Sequence, residues 1–273
     1  MLGAAIIVLR ETLEAALLIG VIAAATRSIP GRSRWITSGI LAGFAGAGIV
    51  AILAGHIAAL FEGVGQELFN AAVLGLAILL LAWHQVWMSA HGAELAANAH
   101  RVAQDVRQGQ RQLSAILIVI ALAVLREGSE SALFLYGLLS GGETSRGSLA
   151  AGGALGLLGG AALGVLLYAG MLRIPVRWFF AATSALILLL AAGMASRMTR
   201  FLIQADILPG LKSPLWDSSS VLPVDSVLGA LMHALAGYDA RPAGMQVVSY
   251  AATLLVILAG MWWVRRSSPS SRH

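Results

Sequence analysis

Arginine and glutamate placed inside apolar stretches are the groups most able to do chemistry in this chain, and they come in two copies. Arg10-Glu11-Thr12-Leu13-Glu14 lies within MLGAAIIVLRETLEAALLIGVIAAAT, and Arg126-Glu127-Gly128-Ser129-Glu130 within LSAILIVIALAVLREGSESALFLYGLLS. A charge near the centre of a membrane helix costs at least ~2.5–3.5 kcal/mol on insertion scales, so six of them point to an ion or proton pathway. Residues three or four apart share a helix face, so Glu11 points with Glu14 and Glu127 with Glu130. Arg10 reaches Glu14 and Arg126 reaches Glu130 by the same spacing, and each arginine offsets one carboxylate. Two such motifs facing each other would present Glu11, Glu14, Glu127 and Glu130 with an excess of negative charge, which suits a hard cation. Thr12, Ser129 and Ser131 are candidate hydroxyl ligands beside them. Two other readings use the same residues: a proton relay, or a buried Arg–Glu strut with the third carboxylate protonated.

These motifs need membrane helices to hold them, and the composition supplies that setting. The chain has 273 residues, 58% hydrophobic and 11% charged, with a mean hydropathy of +0.83. A soluble domain carries about 25% charged residues. The absence of cysteine excludes disulfides and thiolate metal sites. The basic balance, 18 Lys and Arg against 13 Asp and Glu, falls in short loops between apolar runs and orients a membrane protein rather than marking a nucleic-acid surface. The first run begins near Met1 without a basic leader or small-residue cleavage site, and reads as a retained helix.

Apolar runs long enough to cross a bilayer fall at 2–26, 36–60, 69–88, 113–140, 148–171, 176–200 and 246–264. The expected fold class is all-α, a polytopic membrane protein with seven transmembrane helices in a single domain over 1–273. Segments 27–35, 89–112, 172–177 and the tail after 264 hold 3, 3, 2 and 3 Arg, against 0 and 1 Lys or Arg in 61–68 and 141–147. The positive-inside rule then predicts an outside N-terminus and a cytoplasmic C-terminus, in the inner or plasma membrane. The motifs lie in the first and fourth helices, three crossings apart, so those helices run in opposite directions. A 3+3 inverted-topology repeat plus one extra helix follows, with repeat 1 about 1–88, a cytoplasmic connector at 89–112, repeat 2 about 113–200, an external cap at 201–245 and helix seven at 246–264.

Outside the motifs, Glu62 and Glu67 in FEGVGQE form an acidic external mouth able to gather cations. His56, His84 and His233, in or near apolar runs, read as packed or hydrogen-bonded residues, and Met88, Met194 and Met198 as packing residues. Gly39, Gly43, Gly46 and Gly48, and Gly152, Gly153, Gly156, Gly159, Gly160 and Gly164, read as small-residue faces for close helix packing. The connector, polar and Ala-rich, is expected to be a helix or helix pair. The cap, with Pro209, Pro214, Pro223 and Pro242, is expected to be an ordered set of short turns. No nucleophile–base pair or HExxH-type motif points to an enzyme.

Two R-E-x-x-E motifs in the first and fourth of seven helices resemble the oxidase-dependent iron transporters, the fungal high-affinity iron permease and its bacterial ferrous-iron-uptake relatives. The likeness extends through FEGVGQELF, VWMSAHGAEL and the ILP…LWDSS…GYDARP stretch, and so covers nearly the whole chain. It implies an iron permease in which Glu11, Glu14, Glu127 and Glu130 bind iron during translocation. Iron, Fe2+ or Fe3+, is then a transported substrate and no cofactor is permanently bound. The resemblance also implies separate extracytoplasmic partners, an oxidase or peroxidase and an iron-binding protein. A permease for another divalent cation such as lead, and a non-transporting scaffold or sensor, remain the alternatives.

Overall fold

The computed structural model describes residues 1–59, 65–141, 145–170 and 176–267. Eight helices account for most of them: α1 (Leu2–Ala25), α2 (Arg32–Ala59), α3 (Gln66–Arg107), α4 (Ser114–Ser140), α5 (Arg146–Tyr168), α6 (Val176–Gln204), α7 (Val227–Ala236) and α8 (Gly244–Ser267). No strand occurs among the described residues. Five helices are long and apolar enough to cross a membrane: 32–56, 66–89, 146–168, 180–204 and 244–264. Helices α1 and α4 are 24 and 27 residues long, and each carries the three charges of its motif within an otherwise apolar sequence. Leu79, Leu158, Val165, Val256 and Trp263 are exposed on the outside of the bundle, where hydrocarbon would cover them.

Small residues bring the motif helices into the bundle. α1 packs along α5 and α2 along α4, because each pairing has a glycine stripe at helical spacing. A Cβ on Gly43 would come within 2.6 Å of Val124 Cβ, and one on Gly156 within 2.9 Å of Val8 Cβ. Gly39 likewise meets the Leu117 carbonyl and Ile120, while Gly152 meets the Met1 carbonyl and Ala4. Gly46 faces Leu125 and Gly159 faces Leu9. At the motifs themselves, Gly160 abuts Thr12 and Gly128 abuts Ala47. When Arg10 is superposed in sequence on Arg126, every one of these contacts in one pairing falls on its counterpart in the other. Gly48 departs from the expected packing face: nothing lies within 4 Å of its Cβ position, and it is exposed.

Two segments differ from their expected form. The connector is no separate helix, since α3 runs unbroken for 42 residues from Gln66 to Arg107, about 63 Å at 1.5 Å per residue. Its distal half is also more than a solvated strap: Ala99, Ala103 and Val106 are buried against Ile22, Ile116 and Ile120, a stripe at helical spacing that ties the ends of α1, α3 and α4 together. The cap holds a ten-residue helix, α7, besides its turns. The stretch between Pro223 and Pro242 is free of proline, and Ser226 starts the helix by accepting the Gly229 amide at 3.0 Å. Gly237 ends it in the left-handed region at φ 67° and rests on Gly193 of α6, where a Cβ would meet Gly237 Cα at 2.8 Å. Ser218 and Tyr238 hydroxyls lie 2.6 Å apart, and Arg241 pairs with Asp217 at 2.9 Å. Hydrogen bonds from Ser219, helped by Arg241, hold the Asp217 carboxyl below its usual range.

Candidate metal centre

The i, i+4 spacing of each motif closes an ion pair on its own helix. Arg10 Nη2 lies 2.9 Å from Glu14 Oε1, and Arg126 Nε donates to Glu130 Oε1 at 3.1 Å. Each arginine also approaches the adjacent glutamate, Arg10 Nη1 to Glu11 Oε1 at 3.4 Å and Arg126 Nε to Glu127 Oε1 at 3.7 Å. Both motifs thus close the same pair of arginine–glutamate contacts. The environments differ. Arg10 is 2% exposed, whereas the Arg126 side chain is 31% exposed and lies over the Trp87 ring, 4.4 Å from its centroid.

The two motifs meet at α3. Glu11, Glu127 and Glu130 each offer an oxygen, and His84 a ring nitrogen, with all four atoms within 4.8 Å of one another. Glu11 is fully buried, Glu127 and His84 nearly so. His84 Nδ1 contacts Glu130 Oε2 directly, while Nε2 faces Glu11 Oε2 at 3.6 Å and Glu14 Oε2 at 3.9 Å. Glu14 thus stands beside this group rather than in it, with one oxygen on Arg10 and the other turned toward His84. Among the described residues, Glu11 Oε2, Glu14 Oε2, Glu127 Oε2 and His84 Nε2 are buried without a hydrogen-bond partner. Carboxylate and imidazole donors left open in this way can coordinate a divalent metal.

A cavity of about 540 Å³ adjoins the cluster. Arg10, Glu14 and Glu127 form its polar end, and it extends past Leu17 of α1, Gln85 of α3 and Ser184 of α6. Gln85 is buried and donates to the Ser184 carbonyl at 3.2 Å, which fixes the rotational setting of α3 against α6.

The remaining expected site residues are scattered. Thr12 turns about 100° round α1 from Glu11, and its Cβ and Cγ2 abut Gly160 of α5. The Ser129 hydroxyl donates to the Arg126 carbonyl at 2.9 Å within its own helix. Ser131 is half-buried one turn beyond Glu127. Glu67 is exposed in the first turn of α3, and Glu62 lies outside the described residues. Met194 is buried with Met198 packed against the same core, in keeping with a packing role. His233 is hydrogen-bonded, Nδ1 to the Tyr238 carbonyl and Nε2 facing Arg197, and His56 faces the Ile52 carbonyl. His84 is the exception to the reading of these histidines as packed or hydrogen-bonded residues, since it joins the three glutamates. The signal for it was available, since it is the one ionisable residue in the apolar run 69–88.

The profile of the iron permease FTR1 family matches residues 1–266. A protein named ferrous iron permease EfeU from Escherichia coli (strain UTI89 / UPEC) is 32% identical over 246 residues, which span 89% of this chain and 88% of that protein. Its namesake from Shigella sonnei (strain Ss046) has the same identity and coverage. The one from Shigella flexneri is 32% identical over 183 residues, 67% of this chain and 77% of its own. No solved structure matches. With the family profile and these relatives agreeing along most of its length, the chain belongs to the iron permease FTR1 family.

Proposed function

We propose that this chain is a seven-span permease that carries iron across the membrane through the buried cluster. Glu11, Glu14 and Glu127 supply oxygen ligands, Glu130 adjoins them through His84, and Arg10 and Arg126 limit the charge repulsion among the four carboxylates. One observation carries this reading: two motifs remote in sequence contribute to one buried group in which Glu11 and Glu127 each keep an oxygen without a hydrogen-bond partner. Unpaired carboxylates are costly inside a membrane, and a cation held between them offsets that cost. Family membership supports iron as the cargo, and relatives named ferrous iron permease support the ferrous form.

The arrangement of the halves supports an inverted repeat of α1–α3 and α4–α6, with α8 added. The glycine contacts of α5 on α1 correspond residue by residue to those of α2 on α4, as two copies of one unit would produce. Helices α1 and α4 then run in opposite directions through the bilayer and bring their motifs to the middle from either side. With the N-terminus outside, as the arginine distribution favours, the cavity beside Glu14 lies on the cytoplasmic side. It forms the release path, and its apolar walls offer a departing ion few further ligands.

The test is iron flux into liposomes carrying the purified Glu11→Gln/Glu127→Gln variant. Glutamine keeps the side-chain volume, so thermal melting should stay near that of the unaltered protein while flux is lost. Undiminished flux through a folded double variant would refute the shared site and leave the arginine–glutamate pairs as struts.

A further inference from the structure

We propose that His84 is a nitrogen ligand of the transported metal, oriented by Glu130, and that it makes the site select a divalent transition metal over magnesium and calcium. The inference rests on the cluster being the iron site and names the cargo class that site accepts.

The position of the ring is the first argument. His84 is 2% exposed while its neighbour Trp83 is 72% exposed, so α3 turns this imidazole into the gap between α1 and α4. Phe134 of α4 meets the ring edge-on, with centroids 6.5 Å apart. The Gln85–Ser184 bond holds the next residue to α6. Phe134 of α4 thus bounds the ring, and the bond to α6 holds the residue beside it.

The two ring nitrogens have different surroundings. Nδ1 contacts Glu130 Oε2, which assigns the proton to Nδ1 and leaves a lone pair on Nε2. Neither ring nitrogen makes a hydrogen bond of ordinary geometry, but Nε2 is the one that faces Glu11 Oε2 at 3.6 Å and Glu14 Oε2 at 3.9 Å. These separations exceed the ~2.7–3.2 Å of a hydrogen bond. The Glu11 separation suits two donors on a common ion: with bonds of ~2.0–2.2 Å and angles of ~90–120°, ligand atoms stand roughly 2.8–3.8 Å apart, and Glu14 stands just beyond that range. A carboxylate on one ring nitrogen with a metal facing the other is the usual way proteins orient a ligating histidine. Glu130 then has a double task, since its second oxygen accepts from Arg126 at 3.1 Å.

Chemistry supplies the selectivity. A cage of carboxylate oxygens alone suits magnesium, calcium and manganese, whereas imidazole shifts preference toward iron, nickel, copper and zinc. One nitrogen among several carboxylates keeps the site hard enough for a labile ion and still disfavours the abundant alkaline-earth cations.

The experiment uses the purified full-length protein with one equivalent of Co2+, and separately Fe2+ under anaerobic conditions. X-ray absorption reports imidazole in the coordination shell, and competition with Mg2+, Ca2+ and Mn2+ reports selectivity. The unaltered protein should show imidazole scattering, and His84→Gln should lose it. In His84→Gln the affinity for Fe2+ should fall by at least about 10–100-fold, the loss that removing an orienting partner alone causes, with a smaller loss for Mn2+. His84→Glu should recover divalent binding without recovering the preference for iron. Absence of imidazole scattering in the unaltered protein overturns the proposal, whether or not the variants fold. So does a folded His84→Gln protein with unchanged spectrum and selectivity. The Glu11→Gln/Glu127→Gln variant separates the two readings: unchanged metal binding there defeats the carboxylate site itself, whereas its loss alongside an indifferent His84→Gln defeats only the role of His84.

Discussion

Arg10 and Arg126 occupy the same position in their motifs, yet their removal is expected to have unequal consequences. Arg10 is 2% exposed and lies 2.9 Å from Glu14 and 3.4 Å from Glu11, both buried. Alanine at this position leaves two carboxylates in the interior without their cation, and breaking a buried pair costs about 3–5 kcal/mol. Arg126 is 31% exposed, its nearer partner Glu130 is 24% exposed and keeps His84 as a second partner, and buried Glu127 stands farther off at 3.7 Å. A partly solvated pair contributes about 0–1 kcal/mol, and stacking over Trp87 adds about 0.5–2 kcal/mol. Arg126→Ala should therefore cost about 1–3 kcal/mol, which leaves a gap of about 2 kcal/mol between the variants. At about 2–4 °C per kcal/mol for a chain of this order, Arg10→Ala should melt about 4–8 °C below Arg126→Ala. Size-exclusion thermal melts in detergent measure this directly. Adding Glu14→Gln to Arg10→Ala removes one stranded charge and should recover part of the loss. Equal melting losses, or a larger one for Arg126→Ala, would refute the assignment of Arg10 as the more deeply buried counter-ion.

Two further expectations follow from the helix contacts and the charge distribution. Gly43→Val and Gly156→Val should each destabilise by about 1–3 kcal/mol through overpacking, because a Cβ there meets Val124 at 2.6 Å and the Ala5 carbonyl at 2.5 Å. Gly48→Val, with nothing within 4 Å, is the control, and a comparable loss in its melting temperature would refute the packing argument. The chain contains no cysteine, so single cysteines at Gln108, beyond the end of α3, and at Val221, in the cap, report orientation cleanly. Impermeant maleimide should reach Val221→Cys from outside and Gln108→Cys only after the inner face is opened. Labelling of both from one side would remove the basis for the orientation.

The motif residues were legible in the sequence because the cost of a charge in hydrocarbon depends on its apolar flanks, which are local. The partners within each motif were legible as well, since three- and four-residue spacings put Arg10 beside Glu14 and Arg126 beside Glu130 without reference to the rest of the fold. The glycine faces showed in the same way: Gly152, Gly156 and Gly160 repeat at the helical period, and a stripe of small residues implies a close neighbour although it does not name one. Helix ends were readable where proline or glycine interrupts the pattern. They were less so after Met88, where polar, Ala-rich residues continue the helix without a breaker and α3 simply runs on.

Tertiary structure decided what lies between helices. His84 has no charged neighbour in its own helix, so its sequence context resembles that of any buried histidine; only the rotation of α3, set by packing and by the Gln85–Ser184 bond, aims it at Glu11 and Glu130. Thr12 adjoins Glu11 in sequence, but a helix turns about 100° per residue and carries it to α5 instead. The difference between Arg10 and Arg126 is likewise invisible in two matching motifs, because burial depends on the neighbours that surround each helix. Spacing along a chain specifies the face a side chain occupies, and the packing of separate helices specifies what that face meets.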